Sequence, residues 1–145
     1  METEMKSATQ VQDYSTPSGG SKNERGAMFW IGWVLSVLVV ALMLLSAFMK
    51  LSKNPQAVDG FKKAGYPESA LIAIGIAEAA CAIIYLIPQT SVLGAILLVG
   101  YLGGATNHHV RVGEAFYMPI LVGVVAWVGI FLRDNRLRAL LPLRS

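Results

Sequence analysis

The stretch from Gly26 to Met49 carries no charged residue, and no other feature of this chain restricts its fold as strongly. At about 1.5 Å of rise per helical residue it is long enough to cross a hydrocarbon core of about 30 Å. Arg25 and Lys50 bracket it, and Phe29, Trp30 and Trp33 sit at its first end, where aromatic rings favour the headgroup boundary. The apolar core of a secretory leader spans about 7–15 residues, so this longer run is expected to stay in the mature chain. Composition points the same way. The chain is 54% hydrophobic and 14% charged, whereas a soluble domain carries about 25% charged residues.

Three more apolar runs follow. Ser69–Ile87 has Pro67 and Glu68 ahead of it, suited to a helix start. Pro88-Gln89-Thr90 forms a tight turn, which makes the run from Ser91 to about Asn107 a hairpin partner of the one before it. The last run extends from about Ala115 to Leu132, with Pro119 near its start. None alternates apolar with polar residues as a barrel strand would, and helices pair their backbone groups internally, as lipid requires. The expected fold is all-α: a four-transmembrane-helix bundle over residues 26–133, with spans at about 26–49, 69–87, 91–107 and 115–132. The connection 50–68 contains Asn54-Pro55, a cap followed by a first-turn proline, then Ala57, Val58, Phe61 and Ala64 at helical spacing and Gly65 at the end. It reads as a short amphipathic helix on the membrane surface or as a solvated loop with some helix. Residues 1–25 hold almost no aliphatic side chains and are expected to be disordered. Residues 134–145 form a basic tail, with Leu137, Leu140 and Leu141 free to lie on the interface.

An even number of spans puts both termini on one side. Lys22, Arg25, Arg133, Arg136, Arg138 and Arg144 flank the spans there, against Lys50, Lys53, Lys62, Lys63 and Arg111 on the other side. The small excess favours cytoplasmic termini. A net charge of +3 without a basic stripe argues against nucleic acid as a partner. The single cysteine, Cys81, excludes an internal dithiol–disulfide cycle. No nucleophile–base pairing, phosphate loop or dinucleotide fingerprint is present.

Glu78, the only charge in the second run, falls at its midpoint. A carboxylate at bilayer depth costs several kcal/mol unless it is paired, hydrated or protonated. It therefore reads either as a proton-carrying or ligand-binding group facing the bundle interior, or as a protonated acid bonded to a neighbouring helix. Counting from the turn places Gly100 and Tyr101 at the same depth, and the Tyr101 hydroxyl is a candidate partner. Gly75, Ala79 and Ala82 surround Glu78, while Gly100 and Gly104 make a GxxxG; with Gly103 these small residues read as helix-packing positions. At the exit of the third run lie Asn107, His108, His109, Arg111 and Glu114. Neighbouring histidines on a helix point about 100° apart and match no zinc spacing, so no metal site is expected. They are candidates for proton relay. Helical phasing turns His108 towards the Tyr101 face and His109 away from it. Arg111 reads as an anion contact or a headgroup anchor.

The ordered set Gly65-Tyr66-Pro67, Gly75, Glu78, Pro88, Tyr101-Leu102-Gly103-Gly104-Ala105 and His109-Val110-Arg111-Val112-Gly113 resembles the DoxX-like family of small four-helix membrane proteins over about residues 28–133. His109 corresponds to the family histidine, and His108 stands where the family usually has a small residue. The resemblance implies a bundle in the bacterial cytoplasmic membrane and, for some relatives, a place as a small subunit of quinone-linked sulfur oxidation complexes or a link to oxidative stress. A quinone contact is implied by the resemblance alone, since no cofactor motif is evident. Three functions follow as expectations: an accessory, non-catalytic subunit of a membrane or redox complex; a small-solute or proton pathway centred on Glu78; and, least supported, a stand-alone redox enzyme. The lipid requirement is directly testable. The chain is expected to partition wholly into the detergent phase in a cloud-point separation and to resist alkaline carbonate extraction from membranes; recovery in the aqueous phase would contradict the reading.

Overall fold

A computed structural model describes residues 22–140, and among them every regular element is a helix. In chain order they are α1 (Lys22–Leu51), α2 (Pro55–Lys63), α3 (Ser69–Leu86), α4 (Ser91–Val112), α5 (Tyr117–Arg133) and α6 (Asn135–Leu140). Two of them, α1 over Gly26–Leu51 and α3, are long and apolar enough to cross a membrane. α4 has the length, but its last turns carry Thr106, Asn107, His108, His109 and Arg111; α5 is 17 residues long.

The four long helices form a closed ring. α1 packs on α3 and α5, and α4 packs on α3 and α5. The core cluster draws Val39, Val40 and Met43 from α1, Ala82 and Tyr85 from α3, Ala95, Leu98 and Leu102 from α4, and Ala126 and Ile130 from α5. Outside, the pattern of a water-soluble bundle is inverted. Trp30, Val34, Leu38 and Phe48 of α1 face outward, as do Ile76 and Ile83 of α3, Leu93 and Ile96 of α4, and Leu121 and Val124 of α5. Soluble monomers rarely expose contiguous apolar surface beyond a few hundred Å², so this outer belt calls for hydrocarbon around it.

Local chemistry explains the element boundaries. The Asn54 side chain accepts a hydrogen bond from Gln56 N at 3.0 Å and Pro55 opens α2, so the connection is a capped helix. Its one fully inward side chain is Phe61. Gly65, at φ +78°, makes the left-handed turn that leads back to α3. α4 does not stop at Asn107. Nothing between Asn107 and Val112 breaks a helix, and the terminator is Gly113, at φ +74° in the left-handed region. The polar run 107–112 therefore lies on helix, not in a connection. Pro119 occupies the first turn of α5, where its missing N–H costs nothing. α1 begins at Lys22, so residues 22–25 are helical and not part of a disordered tail; residues 1–21 and 141–145 lie outside the described part of the chain. The tail also differs from expectation. α6 folds back so that Leu137 joins the core instead of lying on the interface.

Glycines set how closely the helices approach, though not the ones the GxxxG pattern singled out. A Cβ on Gly94 would stand 2.3 Å from the Tyr85 backbone, and one on Gly32 would stand 2.7 Å from Arg133 N. Gly129 lies against Ser36 and Tyr85. Gly75 is likewise a packing position, since a Cβ there would stand 3.1 Å from Lys50 Cβ. Gly100, Gly103 and Gly104 instead face open space, at exposed positions of α4. Gly94→Ala is expected to destabilise the bundle by about 3 kcal/mol through backbone displacement. Gly103→Ala is expected to be neutral or slightly stabilising through helix propensity. Thermal unfolding in detergent measures both.

Candidate functional site

The close contacts concentrate at one end of the ring, and the other end holds a cavity of about 720 Å³ beneath α2. Its walls are Leu42, Met43, Leu45 and Met49 from α1, Ile74 from α3, Gly100, Leu102, Gly104 and Ala105 from α4, and Met118, Pro119 and Val122 from α5; Ala57, Gly60 and Phe61 of α2 close the top. Leu42, Leu45 and Met118 are also exposed on the outside of the bundle, so the cavity communicates with the apolar exterior. The lining glycines matter here: with no side chains, Gly100 and Gly104 leave their share of the volume empty.

The polar groups of the cavity gather in its upper part. Glu78 is 1% exposed, and its Oε2 accepts a hydrogen bond from Lys50 Nζ at 2.8 Å. The same ammonium donates to Ser46 Oγ at 2.6 Å, one turn earlier on α1. A helical lysine directs its side chain towards the N-terminus of its helix, so Lys50 carries its charge back into the bundle and away from the surface. A Cβ on Gly75 would meet Lys50 and Leu51, so α1 ends level with Gly75. Glu78 lies three residues further in, about one turn beneath that end. The stretch of α3 before Gly75 rises past α1.

Tyr101 lines the same cavity and its hydroxyl lies against the Glu78 carboxyl. His108 and His109 both line it as well, with ring centroids 5.8 Å apart. His109 is not turned away as helical phasing suggested. Its Nδ1 donates to Ala105 O at 2.8 Å, which bends the ring back along α4 and leaves Nε2 3.8 Å from Glu114 Oε2. His108 packs against Phe61 at 5.3 Å and stacks on Tyr66 at 6.1 Å. Arg111 lies outside the cavity; its guanidinium sits 5.7 Å above the Tyr66 ring. Phe61, Tyr66 and His108 thus tie α2 and its following loop to the end of α4.

The arrangement offers donors and one compensated ion pair above apolar walls. Cys81 is absent from the lining, and the Ser46 hydroxyl accepts from Lys50. Sequence reasoning found Glu78, Tyr101 and both histidines but missed Lys50, Ser46, Phe61 and Tyr66. Lysine at a helix end reads by default as an interface anchor, and only the packing of α1 on α3 turns it inward.

Removing one partner of a buried ion pair costs more than removing both. Lys50→Met, which strands the Glu78 carboxyl, is expected to destabilise the protein by about 3 kcal/mol. The double variant Lys50→Met with Glu78→Leu is expected to recover most of that loss. Denaturation in detergent of the single and double variants measures the coupling, and additive losses would show that the pair is not a unit.

No curated protein and no solved structure matches the sequence. The family model of the DoxX-like family matches residues 34–129, from the first half of α1 to the last turn of α5. The match takes in the ring, α2 and every residue of the cavity, and with its two long apolar helices the chain is a membrane protein that belongs to the DoxX-like family.

Proposed function

We propose that this DoxX-like chain is a multi-pass protein of the cytoplasmic membrane. All four ring helices cross the bilayer, and the termini lie on the cytoplasmic side. It acts as an accessory, non-catalytic subunit of a quinone-linked redox or stress-response complex. Its contribution is to hold a lipid-soluble molecule with a polar head, of the quinone type, in the cavity under α2.

The observation that carries this reading is the cavity itself. Its 720 Å³ falls within the range of ligand pockets, about 300–1,000 Å³. Its walls are apolar and reach the outer surface, which suits entry from the bilayer. Lys50 and His108 line it as hydrogen-bond donors for carbonyl or hydroxyl oxygens.

A solute or proton pathway through the bundle fits less well. Past Glu78 the ring is closed by Tyr85, Leu98, Ala126 and Ile130, each fully buried. The Tyr85 hydroxyl donates to Ala126 O at 2.7 Å and lies 3.0 Å from Ser36 Oγ.

Two measurements test the proposal. Gly104→Phe fills the cavity from a position with open space around it, so the fold is retained. Binding of a short-chain quinone, followed by equilibrium dialysis in detergent, is expected to fall at least tenfold in that variant. Purification in mild detergent is expected to recover a stoichiometric membrane partner. Undiminished quinone binding by Gly104→Phe would remove the cavity from the account.

A further inference from the structure

At the closed end of the ring, opposite the ligand cavity, lies a second recess of about 380 Å³ walled by Trp33, Gln89, Ser91, Arg133, Asp134 and Arg136. Arg133 is 8% exposed, and a guanidinium keeps its charge at every accessible pH. One nitrogen, Nη2, donates to Tyr85 O at 2.7 Å. Nη1 is buried with no hydrogen-bond partner. The guanidinium lies between aromatic faces, its carbon 4.6 Å from the Trp33 centroid and 5.0 Å from that of Tyr85. Among the described residues no carboxylate forms an ion pair with it. A buried permanent cation without a counter-anion is a state that proteins avoid, and here the recess beside it is open.

The rest of the recess favours the same kind of occupant. Arg136 adds a second cation at the rim. The one carboxylate, Asp134, is engaged by its Oδ1, which accepts from Arg136 N at 2.8 Å; the balance of the recess stays positive. α4 begins there without a side-chain cap: Thr90 Oγ1 donates to Ile84 O and Ser91 Oγ donates to Pro88 O. The first amides of this 22-residue helix therefore present unpaired donors and the positive end of its dipole. Trp33 and Phe29 form the membrane-facing lip.

We infer that this recess is a binding site for a phosphate oxyanion, held by Arg133, Arg136 and the start of α4, with the headgroup phosphate of an anionic phospholipid as its source. The site is independent of the quinone-type ligand in the opposite half of the bundle. Its positive balance favours a lipid of net negative charge over a zwitterionic one, and its position at the aromatic end of α1 matches headgroup depth.

The full-length protein, purified in mild detergent, tests this with three probes: phosphatidylglycerol, phosphatidylcholine and inorganic phosphate. Native mass spectrometry is expected to show one phosphatidylglycerol retained at least tenfold more than phosphatidylcholine. Arg136→Gln, at an exposed position, is expected to cut that retention several-fold while leaving the melting temperature in lipid-free detergent unchanged. Arg133→Lys is expected to weaken it further, since a point charge replaces the planar fork. If inorganic phosphate alone raises the melting temperature and displaces the lipid, the same site takes free phosphate. Equal retention of the two lipids, with no response to inorganic phosphate, would overturn the site. So would phosphatidylglycerol retention that Arg136→Gln and Arg133→Lys leave unchanged.

Discussion

Tyr85 is the point on which the closed half of the bundle turns. It is fully buried on α3, yet it reaches two other helices: its hydroxyl donates to Ala126 O on α5 and lies 3.0 Å from Ser36 on α1, and its carbonyl accepts from Arg133 at the end of α5. Ser36 Oγ also donates to Gly32 O at 2.8 Å, one turn earlier on α1. In hydrocarbon an unmet hydroxyl or carbonyl has no water to turn to, which makes each of these contacts obligatory. They form only because Gly32, Gly94 and Gly129 allow backbones to close around the ring. α3 and α5 are diagonal in the ring and have no direct backbone packing, so the tyrosine side chain is what spans them.

Tight closure at one end shapes the other. The close glycine contacts lie at one end, and the cavity lies towards α2 at the other. The same geometry explains why α4 glycines fail as packing positions: Gly100 and Gly104 lie beyond the pinned region and face the space left behind. α2 is then required as a cover. Phe61 fills the top, and Tyr66 with His108 fastens the cover to α4. Lys50 and Glu78 lie at the boundary between cover and cavity, where a charge pair adds register to the packing of α1 on α3 and leaves donors directed at whatever enters.

Much of this architecture was written in local signals. Residue runs without charge gave the helices, Pro88 gave the hairpin between α3 and α4, and Asn54-Pro55 with Gly65 gave a capped α2. Glu78, Tyr101 and the histidines could be proposed for one site because counting from a short hairpin fixes relative depth. What escaped sequence reasoning depends on contacts between distant segments. Lys50 looks like any lysine at the end of a span until α1 is seen to stop level with Gly75. His109 phases away from the site until its Nδ1–H finds Ala105 O. Leu137 belongs to a polar tail by composition, and only the fold of α6 against the ring buries it.

The two charged centres illustrate one rule with opposite consequences. Glu78 is buried and Lys50 is half-buried beside it, so the desolvation of the carboxylate is offset within the chain. Arg133 is buried against a carbonyl and two rings, and no described carboxylate forms an ion pair with it. The rings and the carbonyl lower the cost without removing it, since each offers a partial charge where the guanidinium carries a full one. A bundle surrounded by phospholipid has anions available at the depth of Trp33. Among the described residues no carboxylate pairs with Arg133, so a headgroup phosphate at that depth would supply the full charge that the rings and the carbonyl lack.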